Sequence, residues 1–130
     1  MKRKSTFVAA ITLALGMAII PAAFAAGSHD HAPKFGGIVS EGKGFDAELV
    51  ARPELITIHL YEDKKAISTK AAKAKITILN GVEKTETILM PAGESSLEAK
   101  GKFNVSKGTK AVVEITLEGK KPSTVRFAIK

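Results

Sequence analysis

The apolar pattern of this chain predicts an all-β domain, an immunoglobulin-like antiparallel sandwich of seven or eight strands. Three observations carry that expectation. Beyond position 34, apolar residues recur with period two, the repeat of a strand and not of a helix. Turn signals bearing Gly or Pro punctuate the pattern at spacings of roughly 8–12 residues, as in sandwiches and barrels. Asn80-Gly81 separates two alternating runs and is a strong two-residue hairpin signal, because both turn positions call for positive φ.

The expected strands are Phe35–Ser40, Phe45–Ala51, Leu55–Tyr61, Lys73–Asn80, Glu83–Met90, Ser96–Phe103, Ala111–Leu117 and Thr124–Ile129. The clearest is Leu55–Tyr61, with Ile56, Ile58 and Leu60 on one face and His59 on the other, outward face. Val113, Ile115 and Leu117 alternate with Glu114 and Thr116 in the same way. Pro91-Ala92-Gly93, Lys107-Gly108 and Glu118-Gly119-Lys120 are the other turns. The stretch 64–75 fits either one helical turn or an extended crossover. Phe35, Phe45, Phe103 and Phe127 are expected in the core or at its ends. With no internal repeat, residues 35–130 form one domain.

The first 25 residues have a different character. Lys2, Arg3 and Lys4 precede an apolar run from Phe7 to Ile20, Pro21 ends it, and Ala23-Phe24-Ala25 offers small residues at a cleavage site. This is the pattern of a cleaved secretory signal peptide, and it is shorter than the ~20 apolar residues of a spanning helix. The expected location is the periplasm, without stable membrane insertion after cleavage. Loss of the three basic residues lowers the formal net charge from +7 to +4. That is solubility charge, and no nucleic-acid partner is expected. The chain has no cysteine, which excludes disulfides, thiolate metal sites and a cysteine nucleophile.

Residues 26–34 read as a flexible leader, and its His29-Asp30-His31 is the main candidate for chemistry. Neutral imidazole suits Cu(II), Zn(II) and Ni(II), and a His-x-His pair can turn two rings toward one ion, with Asp30 adding a carboxylate. His59 is the third imidazole and completes the candidate metal set of His29, Asp30, His31 and His59. Cleavage after Ala26 instead of Ala25 would begin the chain Gly27-Ser28-His29, whose amine, amides and imidazole form a square-planar set for Cu(II) or Ni(II). Opposed to all this stands a polar leader with no specific task. Met90 is expected in core or edge packing rather than as a Cu(I) ligand.

No catalytic constellation is expected. None of the serines lies in G-x-S-x-G, and Gly36-Gly37 opens no helix that would make a phosphate loop. Asp46 and Glu48 share one strand face, which suits an acid–base pair less well than an ordinary solvated face.

Several segments carry a resemblance: His31-Ala32-Pro33-Lys34-Phe35-Gly36-Gly37-Ile38-Val39, Phe45-Asp46-Ala47-Glu48-Leu49-Val50, Met90-Pro91-Ala92-Gly93-Glu94, Leu97-Glu98-Ala99-Lys100-Gly101 and Val125-Arg126-Phe127-Ala128-Ile129. Together they resemble small periplasmic proteins of Gram-negative bacteria associated with heavy-metal efflux systems of the resistance-nodulation-division type. They are also similar to accessory N-terminal segments of the membrane-fusion adaptor subunits of those pumps. The resemblance implies a role near copper or other divalent-cation export, with His29 and His31 as the matching metal-contacting positions. Methionine triads are frequent in such proteins and absent from this chain, which argues against Cu(I) transfer. Two readings follow: a periplasmic accessory protein binding Cu(II) or Zn(II) near an efflux adaptor, or a metal-independent module docking on an envelope protein through its sandwich.

Overall fold

A computed structural model describes residues 32–130. The signal segment 1–25 and the leader residues His29, Asp30 and His31 lie outside the described residues. Nine strands follow one another: β1 (Ile38–Glu41), β2 (Asp46–Ala51), β3 (Leu55–Glu62), β4 (Lys65–Ala66), β5 (Lys73–Asn80), β6 (Glu83–Pro91), β7 (Ser96–Lys100), β8 (Lys110–Thr116) and β9 (Ser123–Ala128). Every pairing is antiparallel. No helix forms among the described residues, so the all-β expectation holds, and the stretch 64–75 has no helical turn: strand residues 65–66 and 73–75 are separated by a loop with a turn at 70–71, and Lys64 belongs to the preceding turn.

The strands make one path, β1-β2-β3-β7-β6-β5-β8-β9, with β4 added beside β3. It consists of two halves. β1, β2, β3 and β7 form one, β6, β5, β8 and β9 the other. They join where the end of β6 pairs Met90 with Glu98 and Pro91 with Leu97. At the opposite side β1 comes close to β9, so the sheet nearly closes on itself.

Period-two alternation explains where the core lies. Ala47 and Leu49, Ile56, Ile58 and Leu60, and Leu97 are buried from the first half. Ile76 and Ile78, Leu89, Val113 and Ile115, and Val125 and Phe127 are buried from the second. These inner faces meet in a single cluster with Phe45 and Phe103. Each fully buried aliphatic side chain stabilises the fold by about 1.5–3 kcal/mol relative to exposure, which a chain without disulfides depends on.

Several details differ from the sequence expectation. The first strand begins at Ile38, because Phe35 is 54% exposed and joins no core. The β5–β6 hairpin turns on Gly81-Val82, with Asn80 paired to Glu83 and only Gly81 at positive φ. That fits a type II′ turn, which needs Gly at its first central position only; the strand ends Asn80 and Glu83 are those expected, while the turn's central pair is Gly81-Val82 and not Asn80-Gly81. A short hairpin to β4 was not anticipated. It turns on Asp63 and Lys64, both at positive φ (46° and 68°), the combination of a type I′ turn without its usual glycine. Met90 is not in the core but 62% exposed on the outer sheet face.

Candidate functional site

The β2–β3 hairpin positions the site. Its register sets Glu48 directly opposite His59 and Asp46 opposite Tyr61, all on the face turned away from the core. Such a face is ordinarily solvated. Here the chain preceding β1 runs back across it and covers it.

The covering is held by one carboxylate. The backbone N–H groups of Phe35 and Gly37 donate to Glu48 Oε1 at 2.8 and 2.9 Å, and that of Lys34 donates to Glu48 Oε2 at 2.8 Å. Glu48 has no exposed surface, so the expectation of a solvated carboxylate is corrected. Burial pushes its pKa up, the three N–H donors pull it down further, and His59 adds to the lowering. The net result lies below the ordinary carboxylate value. The N–H concavity resembles the backbone nests that bind anions. Gly36 sits at φ 76° to form it. Gly37 passes so close to β2 that a Cβ would lie 2.3 Å from the Leu49 carbonyl oxygen.

Phe35 then lies flat on His59, with ring centroids 3.7 Å apart and planes 12° from parallel. Lys34 reaches further: its Nζ stands 4.5 Å from the Tyr61 ring centroid and donates to the Lys64 carbonyl oxygen at 2.7 Å. Tyr61 is buried beneath, its hydroxyl 3.5 Å from Glu48 Oε2. Burial, the charges of Glu48 and Asp46, and that hydroxyl contact push its pKa up to about 12.

His59 is therefore only partly outward-facing. It is half-buried under Phe35. Burial lowers its pKa, more than the neighbouring charges of Glu48 and Glu98 raise it. Burial thus favours the neutral ring, the form in which imidazole ligates metals. Among the described residues no three His, Asp or Glu side chains gather where a metal ion could be held. A three-ligand site that included His59 would need at least one donor from outside the described residues.

Sequence reasoning singled out His59 and noticed Glu48 but missed how the two are joined. The available signal was Gly36-Gly37 beside Lys34-Phe35. Read as a failed phosphate loop, the glycines in fact shape a cradle for a carboxylate of the same chain. No family model matches the chain, and no curated protein or solved structure is found to be similar to it.

Proposed function

We propose that this is an exported, periplasmic accessory protein that binds one divalent metal ion, Cu(II) or Zn(II), near a heavy-metal efflux system, without catalysing a reaction. In this reading residues 1–25 are removed as a signal peptide, and the two strand layers constitute an immunoglobulin-like sandwich presenting the site. His29 and His31 capture the ion, Asp30 adds a carboxylate or orients a ring, and His59 completes the set.

The observation that carries the reading is the Glu48 anchor. It ties Lys34 and Phe35 to the strand face that bears His59. His31 precedes Lys34 by three residues, and three residues of chain extend no more than roughly 10 Å. A leader of that length would let the His-x-His pair reach the imidazole of His59. Glu48 itself is engaged by N–H donors and serves as the anchor.

Calorimetric titration of the natively exported protein with Cu(II) and Zn(II) tests it. One-to-one binding is expected, abolished by His29→Ala with His31→Ala and weakened about tenfold or more by His59→Ala. Binding that is absent, or unchanged in the double variant, contradicts it. That outcome would favour the second reading, a metal-independent docking module, which the exposed Ile88 and Met90 of the outer sheet face support.

A further inference from the structure

β6 is paired over most of its length on one side only. Its partner there is β5, from Glu83 to Leu89. On the other side, β7 meets it only at Met90 and Pro91. From Glu83 to Ile88 no strand among the described residues pairs with that second edge. A gap of about 410 Å³ at this place is lined by Thr87, Ile88, Met90 and Pro91 on one side and Glu98, Ala99 and Lys100 on the other.

The hairpin fixes which backbone groups face the open edge. In a two-residue hairpin the residues flanking the turn, Asn80 and Glu83, exchange hydrogen bonds. By alternation Glu83, Thr85 and Thr87 direct their N–H and C=O groups to β5. Lys84, Glu86 and Ile88 direct theirs outward. An added antiparallel strand must bond to those three.

The charges of this edge are self-complementary. Lys84 and Glu86 are exposed and share one face, where they already form an ion pair of 3.1 Å. Consider a second copy related by a two-fold axis through Thr85. Lys84 then stands opposite the partner's Glu86, and Glu86 opposite the partner's Lys84. Ile88 (66% exposed) stands opposite the partner's Val82, which is fully exposed in the turn. Moving the axis by one residue either way sets Lys84 against Lys84 or Glu86 against Glu86, which like-charge repulsion disfavours. The Thr85-centred register keeps the hydrogen-bond parity and sets both Lys84 and Glu86 against their opposite charge.

We propose that this protein forms a two-fold symmetric homodimer by antiparallel pairing of β6 with β6 of a second copy, centred on Thr85. Such an isologous edge pairing closes on itself and continues no further, so a strand edge that would otherwise invite open-ended association is covered. The occupant is a second copy because the strand complements itself in charge and in exposed apolar side chains.

The test is the mass in solution of the natively exported protein, measured by light scattering and sedimentation over a range of concentrations with chelator present. The expected mass is twice that of one chain. Glu86→Lys alone, or Lys84→Glu alone, weakens dimerisation by about tenfold or more, because each places like charges at both symmetry-related contacts. Lys84→Glu combined with Glu86→Lys restores it. These side chains are exposed, and an unchanged far-ultraviolet circular dichroism spectrum confirms that each variant folds. A wild-type protein that stays monomeric at high micromolar concentration overturns the proposal. So does a dimer indifferent to either single reversal, or one that the double exchange fails to restore.

Discussion

Glu48 is the residue on which the site depends. Three N–H donors converge on its two oxygens, and hydrogen bonds to a charged acceptor contribute about 1.5–3 kcal/mol each at most. Glu48→Gln keeps the shape but sets an amide N–H₂ against at least one of these donors. A loss of about 2–3 kcal/mol is expected, measured as a lowered denaturant midpoint, together with loss of protection from hydrogen exchange at the Lys34, Phe35 and Gly37 amides. The same carboxylate sets an acid limit. Its folded pKa is depressed, so its contribution is complete above the unfolded value of about 4.3 and is lost as pH falls from there through the folded value. His59 is depressed too, so its contribution begins to fade below its unfolded value of about 6.5. Both act in one direction: stability falls on acidification, first gently and then steeply. Tyr61 acts oppositely. Its pKa of about 12 lies above the unfolded value, so its contribution is whole below about pH 10 and vanishes as pH rises toward 12. Urea unfolding as a function of pH, with tyrosinate absorbance at the alkaline end, checks all three.

At the scale of elements, turn chemistry decides what the strands do. The β3–β4 turn holds Asp63 and Lys64 at positive φ, where a side chain other than glycine costs about 1–2 kcal/mol. Lys64→Gly removes part of that cost and keeps the carbonyl that Lys34 Nζ reaches. An increase in stability of about 0.5–1 kcal/mol is expected, read as a Tm rise of several degrees for a domain of this size. No change or a decrease would show that the Lys64 side chain contributes more than its backbone strain removes. Period-two alternation made eight of the nine strands legible in the sequence, with ends displaced by a few residues where turns or termini intervene. β4 was not legible, because two residues carry no periodicity and its turn lacks glycine. At the β5–β6 turn the flanking strand ends were legible and the turn type was not. Asn80-Gly81 suggests a turn with two positive φ values, whereas Gly81-Val82 needs only one.

For the whole molecule, the decisive event is the return of the segment before β1 across the face of its own sheet. Residues 34–37 are local in sequence to β1, but their partners Glu48, His59, Tyr61 and Lys64 are 11 to 30 positions away. Sequence alternation shows which face a strand residue occupies and not what covers it. His59 and Glu48 could thus be assigned to one face while the cover over them stayed hidden. In the functional reading this cover is also a tether, since it ends three residues after His31. The two-fold pairing of β6 engages a different part of the molecule, so metal capture and dimerisation are expected to be separable: chelation leaves the dimer intact, and charge reversal at Lys84 or Glu86 leaves metal affinity unchanged.

The most direct measurement of the central claim is a Zn(II) titration of the purified protein followed through the imidazole resonances of its three histidines by nuclear magnetic resonance. The account predicts that the rings of His29, His31 and His59 shift together and saturate at one ion per chain. Shifts confined to His29 and His31, with His59 unmoved under Phe35, would contradict a shared site, and three unmoved rings would contradict metal binding altogether.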